Sequence, residues 1–313
     1  MFEIKRYEPS HEQAWNDFVA RSKNGTFLFD RRFMDYHSDR FADSSLMILR
    51  KGHIYALLPA NRVGDTLHSH QGLTYGGLLT DAKATAEGVM EAFGALNAWL
   101  RNEGVRRVTY KAMPWIYHRL PAEEDLYALT QVCHARLLTR EISSTILLQQ
   151  PLRFTESRKS GLRKALREGL YMEESGDLAA FWQMLDDNLA SRHHTHPVHS
   201  LDELRLLQGR FPQQIHLYLM YNKEKEPVGG TWVFDTGQVV HTQYIASTEE
   251  GKAHGALDLL FDELINRRYR EGIYLDFGKS TEEGGRVLNE HLIFQKEGFG
   301  GRGVCYDTYE WEP

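Results

Sequence analysis

Cysteine is scarce in this 313-residue chain, which contains only Cys133 and Cys305. The two lack the spacing of a metal site or of a redox pair, so the sequence offers no zinc-binding or thioredoxin-like motif. Neither lies in a glycine-rich elbow or beside an activating group. We therefore expect both to be core thiols and not nucleophiles.

Long hydrophobic runs and an excess of positive charge are also missing. No stretch approaches the roughly 18 uninterrupted apolar residues of a membrane span, and Met1–Glu8 mixes charged with apolar residues. We expect neither a membrane span nor a signal sequence, and hence a cytoplasmic protein. The net charge of -6 argues against extensive nucleic-acid binding but permits one local basic patch.

The chain contains one order of elements twice: strand, turn, strand, helix, strand. The strands are predicted at Ile54–Ala60, Leu67–Leu79 and Val105–Lys111 in the first half, and at Val228–Phe234, Val239–Ser247 and Ile273–Lys279 in the second. Such a duplication predicts an α/β protein, a mixed sheet with flanking helices, in two tandem domains. We place the domains at 1–150 and 151–313, divided at Pro151, and expect a site in the cleft between them.

A glycine-bearing corner follows the predicted strand Val239–Ser247. It runs from Thr248 to Ala256 and leads into an apolar helix. Glycines let backbone amides converge at a helix N-terminus, where the unpaired donors and the helix dipole attract phosphate. The alternative is an ordinary strand-to-helix turn that binds nothing.

This order of strand, glycine-bearing turn, helix, strand and terminal helix resembles the acyl-CoA N-acyltransferase superfamily called GNAT. The usual turn there reads Gln or Arg, two residues, Gly, one residue, Gly or Ala. Here Thr248 stands at the leader position, and Gly251 and Ala253 match. The segments Ser157–Gly169, Pro227–Gly230 and Gln295–Gly300 look like the FemABX and FemAB-like branch, whose members have two tandem GNAT-like domains.

The resemblance implies direct transfer of an acyl group from acyl-CoA, without metal, to an amine of a small molecule, amino acid or sugar precursor. The donor would lie against Val239–Ser247 in the C-terminal domain. Its binding residues would be Ala246, Gly251, Lys252, Ala253, His254 and Gly255. Lys296, in the terminal motif, would hold a phosphate or polarise the donor carbonyl; the alternative is a surface lysine before a turn.

Further candidates for catalysis and substrate binding come from the residues themselves. Tyr244 could return a proton to the leaving group, and Gln243 could contact substrate, although strand aromatics are common in sheets. His194 and His196 belong to the histidine-rich segment before Ser200, which predicts an acceptor-binding loop or base, a capped solvated loop, or a metal site. The remaining substrate-binding candidates are Tyr75, in a glycine-flanked aromatic segment, and Lys279, at a strand end.

Two other functions remain open at this point. The basic residues Arg158, Lys159, Arg163, Lys164 and Arg167 would suit aminoacyl-tRNA as the donor of a FemABX-type aminoacyl transfer, or they form a solvated helix face. An inactive GNAT-fold binding protein is the other alternative. The acceptor's identity and the oligomeric state cannot be read from the sequence.

Overall fold

The computed structural model describes residues 1–193 and 196–313 of the chain. These residues form two compact units. Unit 1 comprises Met1–Glu141, Glu282–Val287 and Cys305–Pro313, and unit 2 comprises Ile142–Thr281 and Leu288–Val304. The division into domains at Pro151 stays a prediction.

The secondary structure is as follows. The strands are β1 (Phe2–Arg6), β2 (Leu46–Arg50), β3 (His53–Leu58), β4 (Asn61–Val63), β5 (Thr66–His68), β6 (Leu79–Thr80), β7 (Arg107–Lys111), β8 (Arg136–Leu147), β9 (Tyr171–Glu174), β10 (Ile215–Tyr221), β11 (Pro227–Asp235), β12 (Val239–Ser247), β13 (Tyr274–Lys279), β14 (Thr281–Glu282), β15 (Val287–Leu288) and β16 (Arg302–Trp311). The helices are α1 (Glu12–Arg21), α2 (Arg31–Met34), α3 (Ala86–Asn102), α4 (Glu124–Gln131), α5 (Glu156–Glu168), α6 (Leu178–His193), α7 (Leu201–Arg210), α8 (Glu249–His254), α9 (Ala256–Glu263) and α10 (Glu290–Gly298). A π-helical turn, Leu264–Arg268, continues α9.

Unit 1 packs a long helix against strands. An antiparallel sheet runs in the order β1, β2, β3, β6. A mixed set of strands joins β4, β5, β7 and β16, in which β5 and β7 are parallel. The apolar stripe of α3, which includes Val89, Phe93, Leu96 and Leu100, is fully buried in the core of this unit. That stripe follows the 3.6-residue helical period, so the sequence alone identifies the buried face of α3.

Unit 2 is a mixed sheet with helices on both faces, in the order β8, β13, β12, β11, β10, β9. Strands β12 and β13 are parallel, and the other pairs are antiparallel. One face carries α9, whose Leu260 and Phe261 are buried with Leu275 and Phe277 of β13. The opposite face carries Trp232, whose indole nitrogen donates to Gln208 of α7. The predicted fold class is confirmed.

The duplicated element is a helix that connects two parallel strands. In unit 2, α8 and α9 connect β12 to β13; in unit 1, α3 lies between β5 and β7, which pair in parallel. The predicted extended stretch Leu67–Leu79 is wrong, however, because most of it is a loop between β5 and β6. The Lys111 ammonium closes this loop by donating to the carbonyls of His70, Gln71 and Leu73.

The two cysteines differ in environment. Cys133 is buried, as predicted, and burial raises the pKa of its thiol to about 11. Cys305 is exposed on β16, so the prediction of a core thiol is wrong there. Alternate residues of a strand point to opposite faces, and the buried neighbours of Cys305 are Val304 and Tyr306.

Glycine permits a close approach between α8 and β11. A Cβ atom at Gly251 would lie 1.9 Å from the carbonyl oxygen of Val228 and 2.5 Å from the hydroxyl of Ser247. The first of these is a backbone atom of a central strand, which cannot move aside. Packing between α8 and β11 thus requires a glycine at position 251, which the sequence analysis assigned to a phosphate-binding turn.

We expect Gly251→Ala to destabilise the protein by about 1–3 kcal/mol, the usual cost of overpacking. Gly94→Ala is the matched control, because Gly94 lies exposed in α3 with no atom near its missing Cβ. That substitution should stabilise the helix by about 0.5–1 kcal/mol. Urea unfolding of both variants measures the difference, and effects of the same sign would contradict the packing argument.

Candidate active site

The parallel strands β12 and β13 separate after three residue pairs. Val239, Val240 and His241 pair with Tyr274, Leu275 and Asp276, and the described ladder between these strands ends there. Beyond His241, β12 continues to Ser247 with β11 as its partner on the other side. Beyond His241, the backbone edge of β12 that faces β13 is therefore open. We call the point where the two strands separate the fork.

Both strands change direction at the fork. In β12, Trp232 of β11 lies opposite Tyr244 and Val233 lies opposite Thr242, so Gln243 is the extra residue of a β-bulge. Bulges bend a strand and increase its twist. In β13, Gly278 adopts the left-handed conformation, with φ of 74°. Two local irregularities at one level thus separate the strands.

A cavity of about 420 Å³ opens beside the fork within unit 2. Its volume lies in the usual range of small-molecule sites. It is lined by Arg158, Leu185, Asn188, Leu189, Ile245, Ala246, Ser247, Gly251, Lys252, Gly255, Ala256, Leu257, Asp258, Phe261, Phe277, Leu292, Gln295, Lys296 and Phe299. Among these described residues the charged side chains are three cations and one carboxylate, which favours an anionic ligand.

The corner predicted to be a phosphate-binding turn is helical. Residues Glu249–His254 form α8, whose N-cap is Thr248; the hydroxyl of Thr248 accepts the amide hydrogen of Gly251. Gly255 ends α8 in the left-handed conformation and its amide donates to carbonyls of α8. These two glycine amides are already bonded within the corner. The predicted open phosphate-binding turn is therefore wrong for the amides of Gly251 and Gly255.

Lys296 lies at the fork, with only 5% of its surface exposed. Its ammonium donates to the carbonyl oxygens of Gly278, at 2.8 Å, and Lys279, at 2.9 Å. Burial lowers the pKa of Lys296 to about 8, against an opposing effect of Asp276. The alternative of a surface lysine before a turn is excluded.

The predicted basic face of α5 is partly internal. Arg158 donates to Asp258 at 2.9 Å in the cavity wall and lies over the ring of Phe299. Burial raises the pKa of Asp258, and the Arg158 guanidinium opposes that shift. Lys159 pairs with Glu156 on the surface. Arg167 lies 3.9 Å from Glu168, so three of the five basic side chains already have acidic partners.

Sequence reasoning gave no role to a polar cluster at the fork. Nδ1 of His241 lies 2.9 Å from one carboxylate oxygen of Asp276. The other oxygen accepts from the hydroxyls of Ser143 and Thr145 on β8. A histidine and an aspartate at facing positions of two strands could have signalled the pair, but their register is not visible in the sequence.

The structure separates the predicted site residues into three groups. Lys296, Ala246, Gly251, Lys252 and Gly255 line the cavity, while Ala253 and His254 lie on α8 away from the lining. Gln243 and Tyr244 are on β12 at the bulge. The third group lies elsewhere and comprises Tyr75, His196 and Lys279. The last predicted residue, His194, falls outside the described residues.

Several of these side chains already have protein partners. The Tyr244 hydroxyl lies 2.6 Å from Nδ1 of His199, and burial raises its pKa to about 12. Exposed His196 contacts Asp186. Tyr75 is buried in unit 1, next to the Thr26 hydroxyl, and Lys279 has an exposed side chain. Their roles in binding or catalysis stay predictions.

Residues 155–284 match the family described as the acetyltransferase (GNAT) domain. This segment is a GNAT domain. It contains the fork, the bulge and most of the cavity lining. The predicted superfamily and the predicted enzyme class, an acyltransferase, are confirmed. A search of curated protein sequences finds no match.

Solved structures similar to the whole chain include other proteins of this fold. FemX superimposes with a TM-score of 0.68 at 11% identity, over 99% of this chain and 97% of that chain. The C-terminal domain of an Agrobacterium fabrum protein described as a lysylphosphatidylglycerol synthetase gives 0.62 at 13%, over 96% and 91%. A tandem GNAT protein from the clavulanic acid biosynthesis pathway gives 0.52 at 12%, over 100% and 98%. Identities this low establish a shared fold.

Two features are absent from the part of the chain that the structure describes. No group of three or more His, Cys, Asp or Glu side chains is arranged to hold a metal ion. No helix there is long and apolar enough to cross a membrane.

The depressed pKa of Lys296 makes stability depend on pH in a defined direction. The folded protein releases this proton near pH 8, whereas an unfolded lysine holds it until about 10.5. Between those values the unfolded state binds more protons, so stability should rise with pH, by at most about 1.4 kcal/mol per pH unit. Below pH 8 the effect is constant, because both states are protonated.

Lys296→Met removes this titration. The difference in unfolding free energy between wild type and Lys296→Met should favour wild type increasingly from pH 8 to 10, by about 2–3 kcal/mol in total. Lys223→Met, at an exposed lysine, is the control and should give a difference that is nearly independent of pH. A flat difference for Lys296→Met would mean that Lys296 is not buried as a cation.

Proposed function

We propose that the protein is an N-acyltransferase that binds acyl-CoA at the fork of unit 2 and transfers the acyl group to an amine of a small molecule, amino acid or sugar precursor. The observation that carries this proposal is the open edge of β12 beside a cavity lined by Arg158, Lys252 and Lys296. Unpaired strand amides can bind an amide-containing donor arm, and the cations can bind its phosphates. The GNAT domain usually uses an acyl-CoA donor.

The donor fits the residues present, with one departure from the usual turn. Because Thr248 caps Gly251 and the amide of Gly255 is bonded within α8, side-chain charge has to supply part of the phosphate binding. Lys252, on the cavity side of α8, is the side chain placed for it, although it also contacts Glu249. Asp258 would repel a phosphate, but Arg158 neutralises it.

Lys296 is suited to act where negative charge develops. Its ammonium is fixed by two carbonyl oxygens and largely shielded from water, so it requires little reorganisation during the reaction. In direct transfer, the amine nitrogen attacks the thioester carbonyl carbon and the C–S bond then breaks. A cation at the fork would stabilise the carbonyl oxygen or the departing thiolate.

The competing donor is aminoacyl-tRNA, which the resemblance to the FemABX branch implies; FemX shares the fold. Arg163 and Arg167, exposed on α5, are the basic residues there best placed to meet RNA. An inactive binding protein is the third possibility. The acyl-CoA enzyme, the aminoacyl-tRNA enzyme and the inactive binding protein make different predictions for ligand binding.

The test compares thermal stabilisation by acetyl-CoA and by total tRNA, followed by assays of thiol release with a panel of amines. A ligand present at 100 times its Kd adds about 2.7 kcal/mol of stability. We expect acetyl-CoA to stabilise the protein, and Lys252→Ala and Lys296→Met each to weaken its binding roughly 10-fold or more, since hydrogen bonds to charged groups contribute about 1.5–3 kcal/mol.

The control is Lys159→Ala, at an ion-paired lysine of α5 outside the cavity lining, which should bind acetyl-CoA like wild type. Stabilisation by tRNA alone, lost in Arg163→Ala and falling steeply with salt, would replace the CoA proposal with aminoacyl transfer. Binding of acetyl-CoA without turnover of any amine would favour the inactive binding protein.

A further inference from the structure

Lys296 differs in its partners from the other two cations of the cavity wall. Arg158 and Lys252 each contact a carboxylate. The ammonium of Lys296 instead donates to the neutral carbonyl oxygens of Gly278 and Lys279. A carboxylate partner favours the charged form of a cation more strongly than a carbonyl does. Lys296 is therefore the lining cation that loses its proton most easily.

Burial acts on Lys296 in the same direction. The residue is only 5% exposed, and burial lowers its pKa to about 8 against the opposing effect of Asp276. With that pKa, about one molecule in ten carries the neutral amine at pH 7, compared with about one in 2,500 for an ordinary lysine. A neutral, nucleophilic form of Lys296 is therefore well populated near neutral pH.

The hydrogen bonds of Lys296 determine where the lone pair of that neutral amine points. A neutral amine has two hydrogens and one lone pair in a tetrahedral arrangement. Two carbonyl oxygens, at 2.8 and 2.9 Å, accept the two hydrogens, and the described residues provide Nζ with no third hydrogen-bond partner. Because Lys296 lines the cavity, the remaining direction is available to a ligand there.

A donor bound as proposed above would bring its reactive carbonyl next to this nitrogen. A cation that stabilises the thioester carbonyl oxygen lies within hydrogen-bond distance of it, about 3 Å. The carbonyl carbon is one bond of about 1.2 Å away from that oxygen, so it lies near the distance of about 3–3.5 Å from which a nucleophile attacks. The contact that makes the charged form of Lys296 useful thus exposes the donor to its neutral form.

We propose that Lys296 is a self-acylation site: when no acceptor amine is bound, its side-chain nitrogen takes the acyl group from the donor, and the modified protein can no longer use the donor site. This inference rests on the proposed function. A bond forms between Nζ and the thioester carbonyl carbon, the C–S bond breaks, and its electron pair stays on sulfur. The proton that the nitrogen loses passes to the thiolate, so the products are an N-acyl-lysine and a free thiol.

The modification would remove two properties of the donor site. The amide nitrogen of an acyl-lysine is uncharged and has a single hydrogen, so it cannot donate to the carbonyls of both Gly278 and Lys279. The acyl group would also occupy the cavity at the fork. We therefore expect the supply of acceptor to determine how long the protein stays active, because a bound acceptor competes with Lys296 for the acyl group.

Several charged and titratable groups surround this nitrogen. Asp276, which contacts His241, acts on it from β13. The paired side chains of Arg158 on α5 and Asp258 on α9 line the same cavity, as does Lys252 on α8, and the other described lining residues are uncharged. Counting acyl groups on one nitrogen separates its own protonation from the titration of these neighbours.

The test incubates wild type with acetyl-CoA and no amine, and measures acetylation of each lysine by peptide mass spectrometry. A parallel sample receives acetyl phosphate, which needs no donor site. With acetyl-CoA, Lys296 should be acetylated at least 10-fold faster than Lys223, which is exposed. With acetyl phosphate the order should reverse, because Lys296 is buried. Excess CoA should suppress acetylation of Lys296 alone.

The pH dependence and one further lysine provide internal controls. Acetylation of Lys296 by acetyl-CoA should rise about 10-fold per pH unit below pH 8 and level off above it, since only the neutral amine reacts. Lys252 lines the same cavity but contacts Glu249, so it should stay unmodified over the same period.

An activity assay tests the consequence of the modification. Wild type is incubated with acetyl-CoA for increasing times and then supplied with an amine. Turnover should fall in proportion to the fraction acetylated at Lys296, whereas a sample incubated with CoA should keep its activity. Full turnover by protein acetylated at Lys296 would overturn the proposed loss of the donor site.

The other outcomes separate this inference from the proposed function. Turnover of an amine by a protein in which Lys296 stays unmodified, or the same order of lysines with both reagents, would overturn self-acylation and leave the acyltransferase proposal intact. Failure of wild type to bind any acyl-CoA would overturn the proposed function and this inference together.

Discussion

The carboxylate of Asp276 is the interaction on which unit 2 depends. It joins three strands at one point, because β13 carries it, β8 supplies two hydroxyl donors and β12 supplies the His241 imidazole. A buried carboxylate is stable only when its desolvation is compensated by good hydrogen bonds, and charge-assisted bonds are roughly twice as strong as neutral ones. The bonds hold β12 against β13 at the last position before the two strands separate.

An open fork in the middle of a sheet requires such a fixed point. Strand edges without a partner expose backbone donors and acceptors, which favours closure of the gap. The bulge at Gln243 and the left-handed Gly278 direct the two strands apart, and Lys296 satisfies the carbonyls that this geometry releases on β13. The same features that keep the gap open therefore bring the Lys296 ammonium and the His241 imidazole to its edge.

Local patterns in the sequence predicted much of unit 2. The predicted bounds of β12 agree with the structure, and Lys296 of the terminal motif lines the cavity beside the fork. These features depend on neighbours within a few residues, or on a short motif. In unit 1 the same approach failed at Leu67–Leu79, where a distant lysine, Lys111, determines the loop.

The contact between His241 and Asp276 could not be predicted from the sequence, for a different reason. Its partner Asp276 is 35 residues away, and the pair forms only because a parallel ladder aligns these two positions. The bulge that puts His241 and Tyr244 on one face also breaks the simple alternation from which strand faces are read. Long-range register, which a single sequence does not contain, determines that His241 is the histidine that contacts Asp276 at the fork.

The glycines of the corner show how one sequence pattern can arise from packing. A Cβ at Gly255 would lie 2.4 Å from the carbonyl oxygen of Gly161, and one at Gly161 would lie 1.9 Å from the Asp258 carboxylate, so both are needed where α5 crosses α9. This crossing also delivers Arg158 to the cavity wall. The amides of Gly251 and Gly255 are bonded within the corner. Under the proposed function, side chains would therefore have to supply part of the phosphate binding, and the contact between α5 and α9 places Arg158 in the cavity wall.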